Sequence, residues 1–244
     1  LLAVKALSDI NRNGAYANIK LQEYLQKYHL SDLDRRFFTE LVYGVIRRKN
    51  YLDAIIVHFV KRPLKKLSSM VVEILRLGIY QIIYMDKVPE SAAVNESVKI
   101  AKKLTRGLSG FVNAVLRSVL RESDSISIGE LAKSEAEEIS FIYNQPLWLV
   151  NLWIKEMGKD KTVDLCAWFN EQPRLTARIN TVKVSIEDCL KELVDLGWVV
   201  EQDKHIPEAV YVDGHQGYLE KAKPVLEGHI TFMDKASMLV AHVV

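Results

Sequence analysis

The chain has 244 residues, 49% of them hydrophobic and 26% charged, and carries only two cysteines. Those proportions are ordinary for a soluble globular protein with a buried core, one large domain or two of usual size. No apolar run approaches the roughly 18 residues of a membrane span, and two cysteines in helical patterns without CxxC spacing argue against a disulfide and for a reduced, cytoplasmic compartment. The net charge of +2 conceals a division: residues 1–123 hold 21 Lys and Arg against 11 Asp and Glu, a balance of +10, whereas residues 124–244 hold 12 against 20, a balance of −8. Such asymmetry points to two domains, the first suited to a polyanionic partner such as nucleic acid.

The opening stretch LLAVKALSDI reads as an amphipathic helix, without the basic region and small-residue cleavage site of a signal peptide. No initiator Met precedes it, so both ends read as cut from a longer protein. In LSDLDRRFFTELVYGVIRRKN, Ser31 stands three residues before Asp34, close to a capping box. Phe37, Phe38, Leu41, Val42, Val45 and Ile46 then recur at helical spacing as one buried stripe. SSMVVEILRLGIYQIIYM predicts a helix with Val71, Ile74, Leu75, Ile79, Ile82 and Ile83 toward the core. After Pro89, Val94, Val98, Ala101 and Leu104 mark another, and LSGFVNAVLRSVLR supplies the last of this half. Residues 1–124 therefore read as an all-α bundle.

Residues 125–140 hold few large apolar side chains and a run of acids, and read as a linker that is partly helical at most. Beyond them the pattern alternates. PLWLVNLWIKEMG and KDKTVDLCAWFN predict helices, and RLTARINTVKV a strand. Ser185 caps IEDCLKELVDLGW, with Leu190, Leu193, Val194 and Trp198 as its apolar face. AVYVDG and HITFM are further strands, and Asp234 caps a final helix carrying Met238, Leu239 and Val243. Residues 141–234 thus read as a small α/β (α+β) domain, helices covering an antiparallel or mixed sheet, and residues 235–244 as the start of a further segment.

Little in the chain suggests catalysis. The eleven glycines form no GxGxxG or Walker loop, and the six histidines show no metal-ligand spacing. His58 and His242, each among apolar neighbours, read as core histidines. GLSG and GHQG match the loop of KH modules only as four-residue patterns occur by chance. Cys166 and Cys189 lack a neighbour that would lower a thiol pKa and read as buried and inert. Asn113 and Asn95, between apolar neighbours, read as buried amides tying helices together.

The basic residues are the informative set. Arg12, Arg35, Arg36, Arg47, Arg48, Lys49, Lys102, Lys103, Arg106 and Arg117 fall at helix ends or on polar faces, as do Lys61, Arg62, Lys65, Lys66 and Arg121. A solvated helix face accounts for any one of them. As a set, with few acids interleaved, they suit contacts to RNA phosphates. In the second half, Arg178 and Asn180 on the predicted strand are the contact candidates.

DRRFFTELVYGVIRRKNYLD, ILRLGIYQIIYM, VPESAAVNESVKIAKK and GFVNAVLR resemble the helical domain shared by the antitermination factor NusB and bacterial ribosomal-RNA cytosine-C5 methyltransferases of the Sun/Fmu type, small-subunit methyltransferase B. The continuation through NQPLWLVNLW, PRLTARINTVKVSIEDCLKELVDLGW and EGHITFMDKASMLVA is similar to the methyltransferase. The resemblance implies a NusB-like RNA-binding bundle, a linker, a small α/β RNA-binding domain, and then a catalytic domain that holds S-adenosylmethionine. It also implies small-subunit ribosomal RNA as partner, a possible protein partner for the bundle, no membrane, and a cytoplasmic location. Neither the family's cofactor loop nor its two cysteine contexts occurs in residues 1–244. The chain is therefore expected to have no catalytic residue, to bind no cofactor or metal, and to be inactive alone. Met233 stands where the family usually has Gln. The alternatives are a NusB-like regulator without enzymatic activity and a protein scaffold using the acidic half.

Overall fold

The structure is a computed structural model that describes residues 1–122, 127–171, 173–214 and 219–243. It divides into two compact units, Leu1–Asn170 and Glu171–Val244.

The first unit is helical. Its elements are α1 (Leu2–Asn13), α2 (Ala17–Lys27), α3 (Asp32–Arg47), α4 (Lys49–Val60), a 3-10 turn (Leu64–Lys66), α5 (Ser69–Tyr84), α6 (Glu90–Leu104), α7 (Ser109–Glu122), α8 (Ile128–Leu131), α9 (Glu135–Tyr143), α10 (Leu147–Met157) and α11 (Lys159–Asn170). Gly14 ends α1 in the left-handed conformation, φ 62°, which glycine adopts without strain. Ser31 caps α3 by accepting from the Asp34 amide at 3.2 Å. α5 lies at the centre, buried from Val71 through Ile82 on every side, as a helix packed all round must be. Gly78 admits Leu116 of α7 and Ser97 of α6: a Cβ there would stand 2.9 Å from both side chains. Gly44 lets the Tyr80 ring lie against α3, where a Cβ would come within 2.0 Å of Cζ.

Burial follows the apolar stripes closely, with physical exceptions. Phe37 is 43% exposed, because α3 turns Phe38 and Leu41 inward and leaves Phe37 on its rim. Asn95 is exposed, and Asn113 is half-buried and accepts from Arg117 Nε at 3.1 Å, so neither amide ties helices together. His58 is exposed near the end of α4, contrary to the core role expected of it.

The polar character of residues 125–140 conceals a packed segment. The expected boundary at residue 124 lies outside the described residues. Beyond it, Ile128, Leu131 and Ala132 pack on the bundle core, and Phe141 is buried within it, 6.1 Å from the Tyr51 ring. Asn50 Nδ2 donates to Ser140 Oγ at 3.4 Å and to the Gln145 carbonyl at 3.3 Å. Ala136, Ile139, Val150 and Cys166 form a satellite core among α9, α10 and α11. By packing, residues 141–170 therefore go with the bundle, whereas the sequence pattern assigned them to the second domain.

The second unit comprises β1 (Leu175–Ile179), α12 (Ile186–Asp195), β2 (Val199–Gln202), β3 (Ala209–Gly214), a 3-10 turn (Leu219–Lys221), α13 (Lys223–Leu226), β4 (Ile230–Phe232) and α14 (Lys235–Val243). The sheet order is β2-β3-β1-β4 and every pair is antiparallel, with Ala177 opposite Val210 on one side and Phe232 on the other. This βαββαβ path is the split arrangement of ferredoxin-like sheets. Ala177, Ile179, Val210, Val212 and Ile230 face Cys189 and Leu193 of α12 and Trp198. Val194 is 58% exposed and lies off that face.

On the other side of the sheet, Met238 of α14 packs with Ile206 and Ala209. Leu239 is 43% exposed, and the Val243 side chain lies outside the described set. The Asp234 carboxylate accepts from the Ala236 amide at 2.7 Å, as a cap does. His242 is exposed, its Nε2 2.8 Å from Glu208 Oε1, and is not a core residue.

Candidate nucleic-acid interface

Most of the expected contact residues in the bundle are exposed cations without an internal partner. Arg12 ends α1, Arg35 and Arg36 lie near the start of α3, Arg47 ends it, Lys102 and Lys103 end α6, and Arg106 follows. Among the described residues none of these side chains makes a hydrogen bond or ion pair. Arg12, Arg47, Lys102 and Lys103 oppose the negative end of a helix dipole, which is a structural reason for their presence. Arg35 and Arg36 sit at the positive end, where a cation weakens the helix, so folding does not explain them.

Other expected contacts are engaged. The Arg48 guanidinium lies 4.9 Å from the Tyr84 ring centroid. With the Asn144 amide oriented to satisfy both its atoms, Arg48 Nη1 donates to it at 2.8 Å, while Asn144 donates to the Arg47 carbonyl at 2.8 Å. Arg48 thus joins α3 to the end of α9. Lys49 Nζ donates to Asn11 Oδ1 at 2.7 Å, and Asn11 Nδ2 donates to Glu73 Oε1 at 3.0 Å. Arg76, buried, holds Glu73 Oε1 at 2.7 Å and both oxygens of Asp53 at 2.6 and 2.8 Å. Burial pushes the Glu73 carboxyl up, against the opposing pull of Arg76 and Asn11. Arg117 is held by Asn113.

Folding creates two hollows from these parts. Arg47 and Arg48 share one with Tyr43, Tyr80, Tyr84 and Glu40, the Tyr80 hydroxyl donating to Glu40 Oε1 at 2.5 Å. Arg12, Lys49 and Lys65 share the other with Glu73. A surface combining guanidinium groups with aromatic rings suits unpaired bases and their phosphates. The sequence reading omitted the tyrosines. Their signal was present, since Tyr43 lies one helical turn before Arg47 and Tyr84 one turn after Tyr80.

In the second unit the two expected contacts differ in exposure. Arg178 projects from the outer face of β1, 44% exposed in its side chain, with Nη2 3.8 Å from Glu208 Oε1. Asn180 is not a surface contact: its Nδ2 donates to the Gly228 carbonyl at 3.1 Å and its Oδ1 accepts from the Val182 amide at 3.2 Å, fixing the turn after β1. Arg174, which the sequence did not single out, stacks 4.1 Å above the Tyr211 ring and binds Asp213 and, at 2.7 Å, Glu201. Beside it, Asp203 accepts from Lys235 Nζ at 2.5 Å, the Tyr211 hydroxyl at 2.7 Å and the amides of His205 and Ile206 at 2.8 and 3.0 Å. The Lys235 ammonium foremost, then the other donors, hold its carboxyl well below the usual carboxylate range.

Neither cysteine is poised for chemistry. Both are free and buried; burial raises the Cys166 thiol and pushes Cys189 up to about 11. Among the described residues, Glu192, Glu227 and His229 bring potential ligand atoms within 4.8 Å of one another. Lys223 Nζ lies 3.7 Å from Glu192 and 3.9 Å from Glu227, so an ammonium already offsets part of their charge.

A basic helical bundle and a βαββαβ sheet domain define a two-part protein of nucleic-acid-binding type. Residues 1–121 match the model of the NusB family, and residues 145–217 that of the Methyltr_RsmF/B-like, ferredoxin-like domain. The chain thus carries a NusB-family domain followed by a ferredoxin-like domain of the methyltransferase RsmF/B type. The second match starts inside the packed unit 1–170, so sequence kinship and packing divide the chain at different points. A probable ribosomal RNA small subunit methyltransferase B of Synechocystis is 36% identical over 252 residues, covering 99% of this chain and 54% of that protein. One of Bacillus subtilis is 32% identical over 241 residues, covering 98% and 53%. The chain spans about half the length of these curated relatives. The crystal structure of PH0851 shares the fold with a TM-score of 0.65 at 19% identity, over 99% of this chain and 54% of that one. No helix among the described residues is long and apolar enough to cross a membrane.

Proposed function

We propose that this chain is the RNA-recognising portion of an S-adenosylmethionine-dependent methyltransferase that modifies cytosine C5 in small-subunit ribosomal RNA. The reading is carried by kinship with methyltransferase B proteins along nearly the whole chain. The unpaired cations of the NusB-family domain supply the physical complement to that kinship. In this reading the bundle provides attraction and backbone contacts, and the sheet domain helps present an unpaired nucleotide. Methylation at C5 needs a thiolate to add at C6 of the base, and the thiols of Cys166 and Cys189 are too buried and too weakly acidic for that step. Catalysis and cofactor binding are accordingly assigned to parts of the parent protein outside residues 1–244.

Binding of small-subunit ribosomal RNA fragments, measured over a series of salt concentrations, tests the reading. The logarithm of affinity should fall linearly with that of salt concentration, with a slope of about 0.7–0.9 per phosphate contact. Absence of binding at low salt would overturn it.

A further inference from the structure

Arg36, Glu40, Tyr43 and Arg47 recur along α3 at intervals of four, three and four residues, which sets them on one face of the helix. Along that face a cation, a carboxylate, an aromatic ring and a second cation follow one another. Arg36, Glu40 and Arg47 are exposed and Tyr43 is half-buried. Arg36 stands one turn from Glu40, yet among the described residues neither arginine makes an ion pair with it. Glu40 is used at one oxygen only: Oε1 accepts from the Tyr80 hydroxyl at 2.5 Å, and Oε2 has no partner among the described residues. Tyr80 is buried, so its hydroxyl needs an acceptor, but one neutral oxygen would serve. The negative charge and the second oxygen of this exposed side chain are surplus to that packing role.

Glu40 lines an open hollow of about 330 Å³ together with Tyr43, Arg47, Arg48 and Tyr84, at the small end of the roughly 300–1,000 Å³ of ligand sites. Arg48 is preset there, held 4.9 Å from the Tyr84 ring centroid and by Asn144 at 2.8 Å. Arg47 is free. Flat side chains beside a carboxylate, with a free cation on either side of it along α3, suit one unpaired base of a single strand. The base brings a flat face to Tyr43 and the Arg48 guanidinium, and its flanking phosphates meet Arg36 and Arg47. The carboxylate then decides which base is held. Ionised, it can only accept, so it favours an edge that carries donors alone. Guanine has such an edge, with N1–H next to the N2 amino group, matching the two oxygens of Glu40. Adenine and cytosine set a ring-nitrogen acceptor beside their amino group, and uracil flanks its N3–H with two carbonyl oxygens. Each of those three turns a lone pair toward the carboxylate.

We infer that this hollow is a guanine-selective subsite for unpaired RNA, with Glu40 accepting from N1 and N2 of the base and Arg36 and Arg47 holding the adjoining phosphates. The inference rests on the RNA-binding reading and sharpens it, since it gives the bundle a base preference in addition to attraction for the backbone.

Affinities of the chain at low salt for short oligouridines carrying one central guanine, adenine, cytosine or inosine, and for oligouridine itself, test it. The guanine strand is expected to bind about tenfold more tightly than the adenine, cytosine and all-uridine strands, the worth of one hydrogen bond to a charged group. Inosine keeps N1–H and lacks the N2 amino group, so its strand should fall between. Glu40→Gln leaves an oxygen for the Tyr80 hydroxyl and puts an amide donor where Oε2 was, so it should bind all five strands alike. Arg47→Ala should weaken every strand by the same factor. Equal binding of guanine and inosine strands by the unaltered chain, preference for another base, or a guanine preference kept in Glu40→Gln would overturn the subsite and leave the RNA-binding reading intact. If Glu40→Gln fails to fold, the comparison of guanine with inosine on the unaltered chain decides alone. Binding of none of the strands removes the RNA-binding reading and the subsite with it.

Discussion

Arg47 and Arg48 are adjacent and chemically identical, yet the fold gives them different roles. Arg47 ends α3 with a free guanidinium, while Arg48 stacks on Tyr84 and binds Asn144. Arg47→Ala should weaken RNA binding and move the melting temperature only slightly, its interaction with the helix dipole being worth about 0.3–1 kcal/mol. Arg48→Ala should lower the melting temperature, the lost stacking alone being worth roughly 0.5–2 kcal/mol. Thermal unfolding beside a binding titration separates the two effects. Asp203 carries a second residue-scale consequence. Its carboxyl titrates lower in the folded chain than in the unfolded one, so its contribution is complete above the unfolded value of about 3.9 and fades as pH falls below it. Denaturation of the chain at pH 6, 4 and 3 should show stability falling with acid, and Asp203→Asn should flatten that dependence.

At the scale of elements, α9 distinguishes a tether from a packed segment. Phe141 is 6% exposed within the bundle core, against Tyr51 of α4. Phe141→Ala should therefore destabilise the bundle by about 3–5 kcal/mol, as large core truncations do, read as a shift in the first unit's denaturation midpoint. A loose linker would show no such shift. The acids of residues 130–138 misled the sequence reading here. Ile128, Leu131, Ala136 and Ile139 are too few and too scattered to make a stripe, yet each finds a hydrophobic neighbour. β2 was missed for a related reason: Val199–Gln202 is a short edge strand, and three of its four side chains are exposed. Longer elements were plain. The stripe of α3 and the apolar length of α5 follow from periodicity that the backbone imposes on any helix.

At the scale of the whole molecule, the charge division of the sequence meets a division in packing. Arg12, Arg35, Arg36, Arg47, Lys102, Lys103 and Arg106 of the first unit are unpaired among the described residues, whereas Arg174 of the second is neutralised by Asp213 and Glu201. If the chain recognises RNA and its parent does the chemistry, RNA at low salt should raise the melting temperature of residues 1–244 and S-adenosylmethionine should leave it unchanged. A rise with the cofactor would place a cofactor site within this chain.

The sequence by itself determined the class of each half, the course of the main helices, strands β1, β3 and β4, and the concentration of basic charge in the first half. Each of these depends on local spacing or on composition, which a chain carries before it folds. Only the tertiary structure decided which cations are free. It paired Arg48 with Tyr84 and Lys49 with Asn11, turned Asn180 inward, put Arg174 over Tyr211, and joined Glu73 to Arg76 and Asn11. The physical reason is that a side chain's charge is fixed by its own chemistry, whereas its partner is brought to it from elsewhere in the chain by packing. Glu73 and Asn11 are 62 residues apart and meet only because α1 lies on α5.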